Sequence, residues 1–317
     1  MKNTQIFVLG GNGFVGREFI KALKKSGYQK IISASRSLPK VKITGVQYVA
    51  GVDLDRPNSL DKVIRKNFVV VNLAGLISFR RKDSQKLFAV NARGSLALLR
   101  ACEQKKVRRL IQISSTAALG FSPSKIHEAT KFDWQKYEFL SYSHSKFFAN
   151  KAIDNSKLPT NILFPPLVLG PGDPTSAQRI FDFVRGRRRV AVPPGSNAFI
   201  DVRDLARAIR LTLEKARAND NFIVIGQNFS IQSLFAAAAK ILRQKTEIKT
   251  LPAGICSLTS GCARVAEYFG LPIPSENIFL GFQKRAFDSR KITRALGFRP
   301  RFTLEKSLRD SFETLPK

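Results

Sequence analysis

The chain has 317 residues, which is enough for one large α/β domain with a smaller appendage. Hydrophobic residues make up 44% of it, an ordinary share for a globular protein, and no run of 18 apolar residues predicts a transmembrane helix. Three cysteines and two scattered histidines exclude a disulfide framework and a zinc site. We therefore expect a reducing, cytoplasmic location and no bound metal.

The charge is unusual, because 54 basic side chains stand against 23 acidic ones and give a net charge of +31. Such a charge suits nucleic acid, an anionic membrane surface or an anionic substrate. The cations are scattered along the whole chain, however, which favours a generic basic surface with weak binding to anionic surfaces and no specific nucleic-acid partner. We expect a monomer or a homodimer that acts on a small-molecule substrate.

The first motif in the chain is a glycine-rich turn between a predicted buried strand at residues 5–9 and a helical pattern that starts near Val15. Gly10 allows the tight turn, Gly13 lets the backbone approach a phosphate, and Gly16 lets the helix pack on the strand. The backbone N–H groups of residues 13–15 would face a pyrophosphate at the positive end of the helix. The residues assigned to cofactor binding here are Gly10, Asn12, Gly13, Phe14, Val15 and Gly16. Residues 1–3 lead straight into the strand, so we expect no signal peptide.

Strand and helix patterns then alternate through the first two thirds of the chain. Further strands are predicted at residues 30–35, 46–50, 68–73, 110–114 and 161–164, with helices at 60–64, 85–104 and 142–153. Such alternation predicts right-handed βαβ crossovers and a doubly wound parallel sheet with helices on both faces.

After Pro165 the pattern loosens, and a turn-rich boundary follows at residues 170–174. We predict a dinucleotide-binding Rossmann domain over residues 1–170 and a smaller, partly interleaved substrate-binding lobe over 171–317, with segments around 200–226 returning to the first domain. Helices are predicted at 177–184, 204–215, 231–242 and 257–269, with a short extended piece at 222–225. The ligand is expected between the two lobes, beyond the carboxyl ends of the strands.

Chemistry is predicted at Tyr142, the one tyrosine of five that has a lysine four residues later, Lys146. On a helix this spacing puts both side chains on one face. A nearby ammonium is expected to lower the tyrosine pKa from about 10, which would make Tyr142 a general acid/base. The alternative is a surface lysine on an exposed helix. Ser114 and Ser115 follow the fifth strand, where a hydroxyl can donate to a carbonyl oxygen.

Taken together, these motifs resemble the extended short-chain dehydrogenases/reductases, the family of sugar-nucleotide epimerases, dihydroflavonol reductases and 3β-hydroxysteroid dehydrogenases. The match spans essentially the whole chain and is most similar to the dihydroflavonol reductase and 3β-hydroxysteroid dehydrogenase branch. It rests on Gly10-x-x-Gly13-x-x-Gly16, Asp53-Leu54, Asn72-Leu73-Ala74-Gly75, Asn91-x-x-Gly94, Ser114-Ser115, Tyr142-x-x-x-Lys146, Pro165-Pro166, Val202-x-Asp204 and the C-terminal stretches 287–291 and 296–300.

The resemblance implies a catalytic set of Ser115, Tyr142 and Lys146, with Lys146 also bound to the nicotinamide ribose. Asn91 would shape the helix near the site or satisfy backbone groups. The further cofactor contacts that it implies are Asp53 and Leu54 at the adenine, Ala74 and Gly75 towards the nicotinamide ribose, and Pro165 to Val168 at the nicotinamide face. Leu119 stands where the family usually has a tyrosine, and Phe164 stands where it commonly has an arginine. Both departures speak against a sugar-nucleotide epimerase.

The second strand predicts the form of the cofactor. It ends in Ser33-Ala34-Ser35-Arg36-Ser37 without an acid, and an arginine there can hold a 2′-phosphate. We therefore favour NADP over NAD, the alternative being a solvent-facing Arg36.

The resulting hypothesis is an NAD(P)-dependent oxidoreductase that acts on a carbonyl or secondary alcohol, with Tyr142 as acid/base. The alternatives are a nucleotide-sugar 4-epimerase with bound NAD and a non-catalytic dinucleotide-binding subunit. The aromatic stretch 121–137, with Glu128 and Trp134, would line a pocket for a ring-bearing substrate or form a packed lid. The basic run 185–189 would clamp a diphosphate or keep a strand edge solvated.

Overall fold

The computed structural model describes residues 2–173, 175–269, 271 and 274–315. Its strands are β1 (Ile6–Leu9), β2 (Ile31–Ala34), β3 (Gln47–Val49), β4 (Val69–Asn72), β5 (Arg109–Ile113), β6 (Thr160–Phe164), β7 (Leu167–Leu169), β8 (Arg189–Val192), β9 (Ser196–Asp201), β10 (Phe222–Ile223), β11 (Gln227–Ser230) and β12 (Glu247–Thr250).

Its helices are α1 (Phe14–Lys25), α2 (Asn58–Asp61), α3 (Ser84–Leu87), α4 (Gly94–Gln104), α5 (Ser141–Asp154), α6 (Ser176–Val184), α7 (Val202–Lys215), α8 (Ile231–Ile241), α9 (Cys256–Tyr268), α10 (Ser275–Phe282), α11 (Arg290–Leu296) and α12 (Leu304–Glu313). The helix predicted over residues 85–104 is present, but a π-helical turn over Phe88–Arg93 separates α3 from α4. Among the described residues, no helix combines the length and apolarity needed to span a bilayer.

Seven strands form the central sheet in the order β10-β6-β5-β4-β1-β2-β3, and every neighbouring pair is parallel. The predicted doubly wound sheet is therefore confirmed. Its strands are largely apolar, as expected where helices cover both faces of a sheet. Alternate residues point to opposite faces, so Ile6 and Val8 join the core beneath α1 and α7, whereas Phe7 and Leu9 join the core beneath α4.

The C-terminal part of the chain builds a second core. β7, β9 and β11 form a three-stranded sheet, and β8 pairs with β12. Phe181 of α6, Phe229 of β11 and Leu308 of α12 are buried together between these strands and α6, α8 and α12. Between these elements the chain passes back through α7, which packs on α1, and β10, which joins the large sheet. The domain boundary at residue 170 stays a prediction.

Asp204 ties the segment before α12 to helix α7. Its Oδ2 accepts hydrogen bonds from the backbone N–H groups of Arg301 and Phe302, at 2.7 and 3.2 Å, and its Oδ1 pairs with Arg207 at 2.8 Å. The neighbouring Asp201 accepts a hydrogen bond from Ser307 at 2.7 Å. In this structure the Val202-x-Asp204 motif therefore holds the C-terminal segment in place.

Candidate active site

The candidate site lies where the order of the strands reverses, between β1 and β4. In a doubly wound sheet a crevice opens at this point, beyond the carboxyl ends of the strands. A Cβ built on Gly10 would lie 2.8 Å from the backbone nitrogen of Ala74, so the turns that follow β1 and β4 meet. The fold thus brings together two predicted cofactor-binding residues that are far apart in the sequence.

The glycine-rich turn has the geometry of a phosphate cradle. Gly10 has a φ of +82°, which favours glycine, and its carbonyl accepts a hydrogen bond from Gly13 at 3.0 Å. A Cβ on Gly16 would lie 2.7 Å from Gly11 Cα and would push α1 away from the turn. No side chain caps the start of α1, and its first turn contains no acid. Its N–H groups are therefore available to an anion, and this cradle fits a pyrophosphate. Phe14 and Val15, which open the helix, are half-buried.

Asn12 ties the glycine turn to the segment after β2. Its backbone N–H donates to Ser35 Oγ at 3.2 Å, its Oδ1 accepts from Ser33 Oγ at 3.0 Å, and its Nδ2 donates to the Ser37 carbonyl at 2.5 Å. Arg36 lies between these anchored serines, and its side chain is exposed. The backbone on both sides of Arg36 is therefore fixed beside the cradle.

The Asp53-Leu54 pair follows β3. The Asp53 N–H donates to Ser59 Oγ at 3.0 Å, and its Oδ1 accepts from the Asp55 N–H at 3.1 Å. Leu54 is buried, and a Cβ on Gly94 would lie 2.7 Å from its carbonyl oxygen. Gly94 thus lets α4 approach Leu54, so the fold brings two separate motifs into contact.

Asn91 lies in the π-helical turn before α4 and is buried. Its Oδ1 accepts from the Leu76 N–H at 2.8 Å, while its Nδ2 donates to the Leu76 carbonyl at 2.9 Å and to Ser145 Oγ at 3.1 Å. These bonds fit the second predicted role for Asn91, the satisfaction of backbone groups. They also link the segment after β4 to helix α5.

Tyr142 and Lys146 lie in the first half of α5, between β5 and β6, and both are buried, with 5% and 6% of their surfaces exposed. The surface lysine considered as an alternative is thus excluded. A Cβ on Gly75 would lie 2.8 Å from Lys146 Nζ and 3.2 Å from Asn91 Oδ1. The absence of a side chain at Gly75 therefore makes room for the ammonium group.

Ser115 begins the turn that follows β5, and its Oγ accepts a hydrogen bond from the Ala117 N–H at 3.2 Å. The next residue, Thr116, donates its N–H to the Pro165 carbonyl at 2.9 Å. Val168, in β7, is half-buried. The turn after β5 and the Pro165 segment are thus held side by side at the carboxyl edge of the sheet.

The predicted lowering of the Tyr142 pKa by Lys146 is wrong for this structure. Burial raises the pKa of Tyr142 to about 12; the Ser115 hydroxyl lowers it in part, and the Glu276 charge raises it. Burial also lowers the pKa of Lys146 to about 8. Desolvation disfavours the charged form of each group, and neither group is among the causes that shift the pKa of the other. Tyr142 is thus protonated at neutral pH.

Glu276 is a buried residue of the site that the sequence did not predict. Its Oε2 accepts from the Tyr142 N–H at 3.1 Å, and its Oε1 accepts from the Ser143 N–H at 3.2 Å and the Ser143 hydroxyl at 2.8 Å. Burial raises the pKa of Glu276 to about 7, against the lowering by these hydrogen bonds and by the buried Arg285 guanidinium. A carboxylate from α10 thus takes the place of a side-chain cap at the start of α5.

A cavity of about 690 Å³ adjoins the start of α5 and is lined in part by Ser141 and Glu276. Phe79 and Phe139 also line it, and the Phe79 ring packs edge-on against the Tyr142 ring with the centroids 5.1 Å apart. Its remaining lining includes four exposed cations: Arg80, Arg81, Lys82 and Arg264. Another cavity, beside Tyr28, has only about 50 Å³ and is too small for an organic substrate.

The aromatic stretch 121–137 packs largely on itself and on α5. Trp134 is buried and stacks on His144 with ring centroids 5.7 Å apart, and Phe132 lies edge-on to Trp134 at 4.8 Å. The Glu128 carboxylate accepts a hydrogen bond from the Ile223 N–H at 2.9 Å. Of the two alternatives, these contacts favour the packed lid.

The basic run 185–189 lies on the surface at the start of β8. Arg189 pairs with Glu247 at 2.7 Å and Arg185 with Asp182 at 3.4 Å. None of the run belongs to the described lining of the large cavity. Its contacts favour the solvated strand edge over the diphosphate clamp.

Several known proteins are similar to this chain in sequence or in fold. Dihydroflavonol 4-reductase from Solanum lycopersicum is 26% identical over 273 residues, which cover 77% of this chain and 70% of that protein. Sterol demethylase protein B from Methylococcus capsulatus is 27% identical over 235 residues, which cover 71% of this chain and 70% of that protein. The crystal structure of gox2253 has the same fold, with a TM-score of 0.83, 22% identity and 98% of both chains covered.

A family model described as "NAD dependent epimerase/dehydratase family" matches residues 6–226, about two thirds of the chain. The match runs from β1 to the turn after β10, so it includes the glycine turn, Tyr142 and Lys146 but ends before Glu276. The chain belongs to the NAD-dependent epimerase/dehydratase family, and its cofactor is a nicotinamide dinucleotide.

Proposed function

We propose that this protein is an NADPH-dependent reductase of a ring-bearing, largely apolar ketone. One observation carries the proposal: a buried Tyr142 lies one helical turn from a buried lysine and beside the Ser115 hydroxyl. A protonated phenol is the state that gives a proton to a carbonyl oxygen, so Tyr142 can act as the acid of a ketone reduction.

Each catalytic side chain has a distinct role in the proposal. Hydride for the carbonyl carbon is the chemistry that a nicotinamide dinucleotide supplies when bound. Tyr142 Oη donates its proton to the carbonyl oxygen, and the Ser115 hydroxyl donates a hydrogen bond to the same oxygen as negative charge develops there. Lys146, as an ammonium, stabilises the phenolate that remains on Tyr142.

The preference for NADPH is carried by Arg36. The segment Ser33–Ser37 has no acid that would repel a 2′-phosphate, and Asn12 anchors it beside the glycine turn. An arginine guanidinium matches phosphate oxygens in geometry and charge, so the exposed Arg36 side chain would hold the 2′-phosphate.

The substrate class is inferred from the cavity and from the named relatives. Phe79 and Phe139 offer apolar rings to a substrate in the cavity, and the Phe79 ring also packs against Tyr142. The names of the two curated relatives refer to a dihydroflavonol and to a sterol, both of which are ring systems. A cavity of about 690 Å³ lies within the usual size of pockets for such molecules.

The direct test is oxidation of NADPH, followed at 340 nm, with a panel of flavanone, steroid and aromatic ketones. We expect turnover that Tyr142→Phe abolishes while the dissociation constant for NADPH stays within about twofold, because the phenol hydroxyl serves the chemical step. Retained turnover in Tyr142→Phe would refute the proposed role of the phenol.

The same experiment separates the alternatives. NAD that copurifies with the protein, together with interconversion of UDP-glucose and UDP-galactose, would establish the nucleotide-sugar 4-epimerase instead. Binding of NADPH without turnover of any ketone or sugar nucleotide would leave the non-catalytic dinucleotide-binding subunit.

A further inference from the structure

Helix α9 exposes large apolar side chains to solvent, unlike an ordinary surface helix, which buries them. Small residues, Ser260 and Ala263, are buried on its inner side, whereas large apolar residues point outward. Leu258, Val265 and Phe269 expose 68%, 59% and 77% of their surfaces. Four positions spaced by three or four residues form what we call the α9 face: Leu258, Cys262, Val265 and Phe269. Tyr268 and Leu271 extend it at the end of the helix, and both are more than half exposed.

Cations border this face. The Arg81 guanidinium lies 5.7 Å from the centroid of the Tyr268 ring. The backbone N–H of Arg81 donates to the Glu267 carboxylate at 2.5 Å. Arg80 and Lys82 flank Arg81 in the chain, and both are exposed. Arg264 projects from α9 itself over the Phe139 ring, 4.9 Å from its centroid. The α9 face therefore combines exposed apolar side chains with a cationic border.

We infer that the α9 face docks on the surface of an anionic lipid bilayer, with Arg80, Arg81, Lys82 and Arg264 at the level of the headgroups. An amphipathic helix binds a membrane interface through its apolar side chains, and nearby cations add attraction to anionic lipids. The inference concerns a binding surface and does not rest on the proposed reaction. Docking would place the opening of the large cavity, which the same cations line, next to the bilayer.

Charge complementarity decides between a bilayer and a second copy of this chain. A symmetric dimer through the α9 face would bring two sets of these cations together, in a protein whose net charge is already +31. An anionic bilayer instead neutralises them. A large exposed apolar patch on a monomer marks a surface that binds another protein or a membrane. Here the cations that border the patch favour an anionic membrane.

The first test uses the exposed Cys262 at the centre of the face. Cys102 is buried, and Cys256, which is half-buried, is replaced by serine. An environment-sensitive fluorophore on Cys262 should shift its emission to the blue with vesicles of phosphatidylglycerol and phosphatidylcholine, and not with phosphatidylcholine alone. No shift with the anionic vesicles would overturn the inference, and this readout needs no change to the apolar residues of the face.

The second test measures cosedimentation with the same vesicles. We expect Leu258→Ser/Val265→Ser/Phe269→Ser to weaken binding more than about tenfold. Arg80→Gln/Lys82→Gln should weaken it about 30-fold, at about 1 kcal/mol for each cation.

The matched controls lie elsewhere on the surface. Leu38→Ser/Val41→Ser removes exposed apolar side chains, Arg188→Gln/Lys245→Gln removes two cations, and each should change binding less than about twofold. Equal losses in test and control variants would show that diffuse charge alone drives binding. A wild-type dimer that the triple serine variant converts to a monomer, without vesicle binding, would assign the face to self-association instead.

Discussion

Replacement of Glu276 by alanine should destabilise the protein by about 2–4 kcal/mol at pH 7. The carboxylate accepts three hydrogen bonds from Tyr142 and Ser143 at the buried start of α5. Alanine would leave two N–H groups and one hydroxyl without their acceptor, and each such loss costs about 1–3 kcal/mol before relaxation. It would also leave the buried Arg285 without the carboxylate that offsets its charge. Losses within one network are not additive, so we place the total below their sum.

The assay is urea denaturation of the wild type, Glu276→Ala, Glu276→Gln and the control Glu138→Ala. Glu138 lines the same cavity but is exposed, so its removal should change the free energy of unfolding by less than about 0.5 kcal/mol. Glutamine keeps one acceptor oxygen and should lie between the wild type and alanine. A loss below about 1 kcal/mol in Glu276→Ala would refute the view that this carboxylate holds the catalytic helix.

Three further substitutions and one titration test the site. Tyr142→Phe should lower kcat by about 10²–10⁴ with unchanged NADPH affinity in fluorescence titration, and a smaller loss would remove Tyr142 as the acid. Arg36→Asp should reverse the ratio of kcat/KM for NADPH over NADH, and an unchanged ratio would show that Arg36 does not select the cofactor. Gly75→Ala should displace Lys146, because the new Cβ would lie 2.8 Å from its Nζ; equal kcat and cofactor affinity would contradict this crowding. Since the proposed reaction needs Lys146 protonated and its pKa in the free protein is about 8, kcat/KM for ketone reduction should be flat below that pH and fall above it. A flat profile to pH 10 would contradict the role of its charge.

Local patterns were sufficient to predict the central sheet. The strand predicted at residues 68–73 corresponds to β4 (Val69–Asn72), because a strand buried on both faces is a nearly continuous apolar run, broken here only by Asn72. The glycine turn could also be predicted from the sequence, since the conformation at Gly10 depends on neighbours a few residues away. The site residues on the carboxyl ends of these strands follow from the topology once the strands are placed.

The elements that the sequence did not predict depend on distant partners. Glu276 contacts α5 across 134 residues of chain, and nothing in its own neighbourhood points to Tyr142. β8 follows a run of arginines, and its residues alternate between exposed and buried over only four positions. Its partner β12 lies more than 50 residues later. The π-helical turn at Asn91 is likewise set by its bonds to Leu76 and Ser145 rather than by local propensity.

The spacing of Tyr142 and Lys146 identifies the catalytic pair, but packing sets the proton affinity of each member. Burial disfavours the charged form of both groups. It therefore raises the pKa of the phenol, which is charged when deprotonated, and lowers the pKa of the amine, which is charged when protonated. The Phe79 ring packs against Tyr142 and is part of that burial. The Tyr-x-x-x-Lys motif gives no indication of this contact. The proton affinity of Tyr142 is therefore a property of the folded core, and the four-residue spacing alone does not set it.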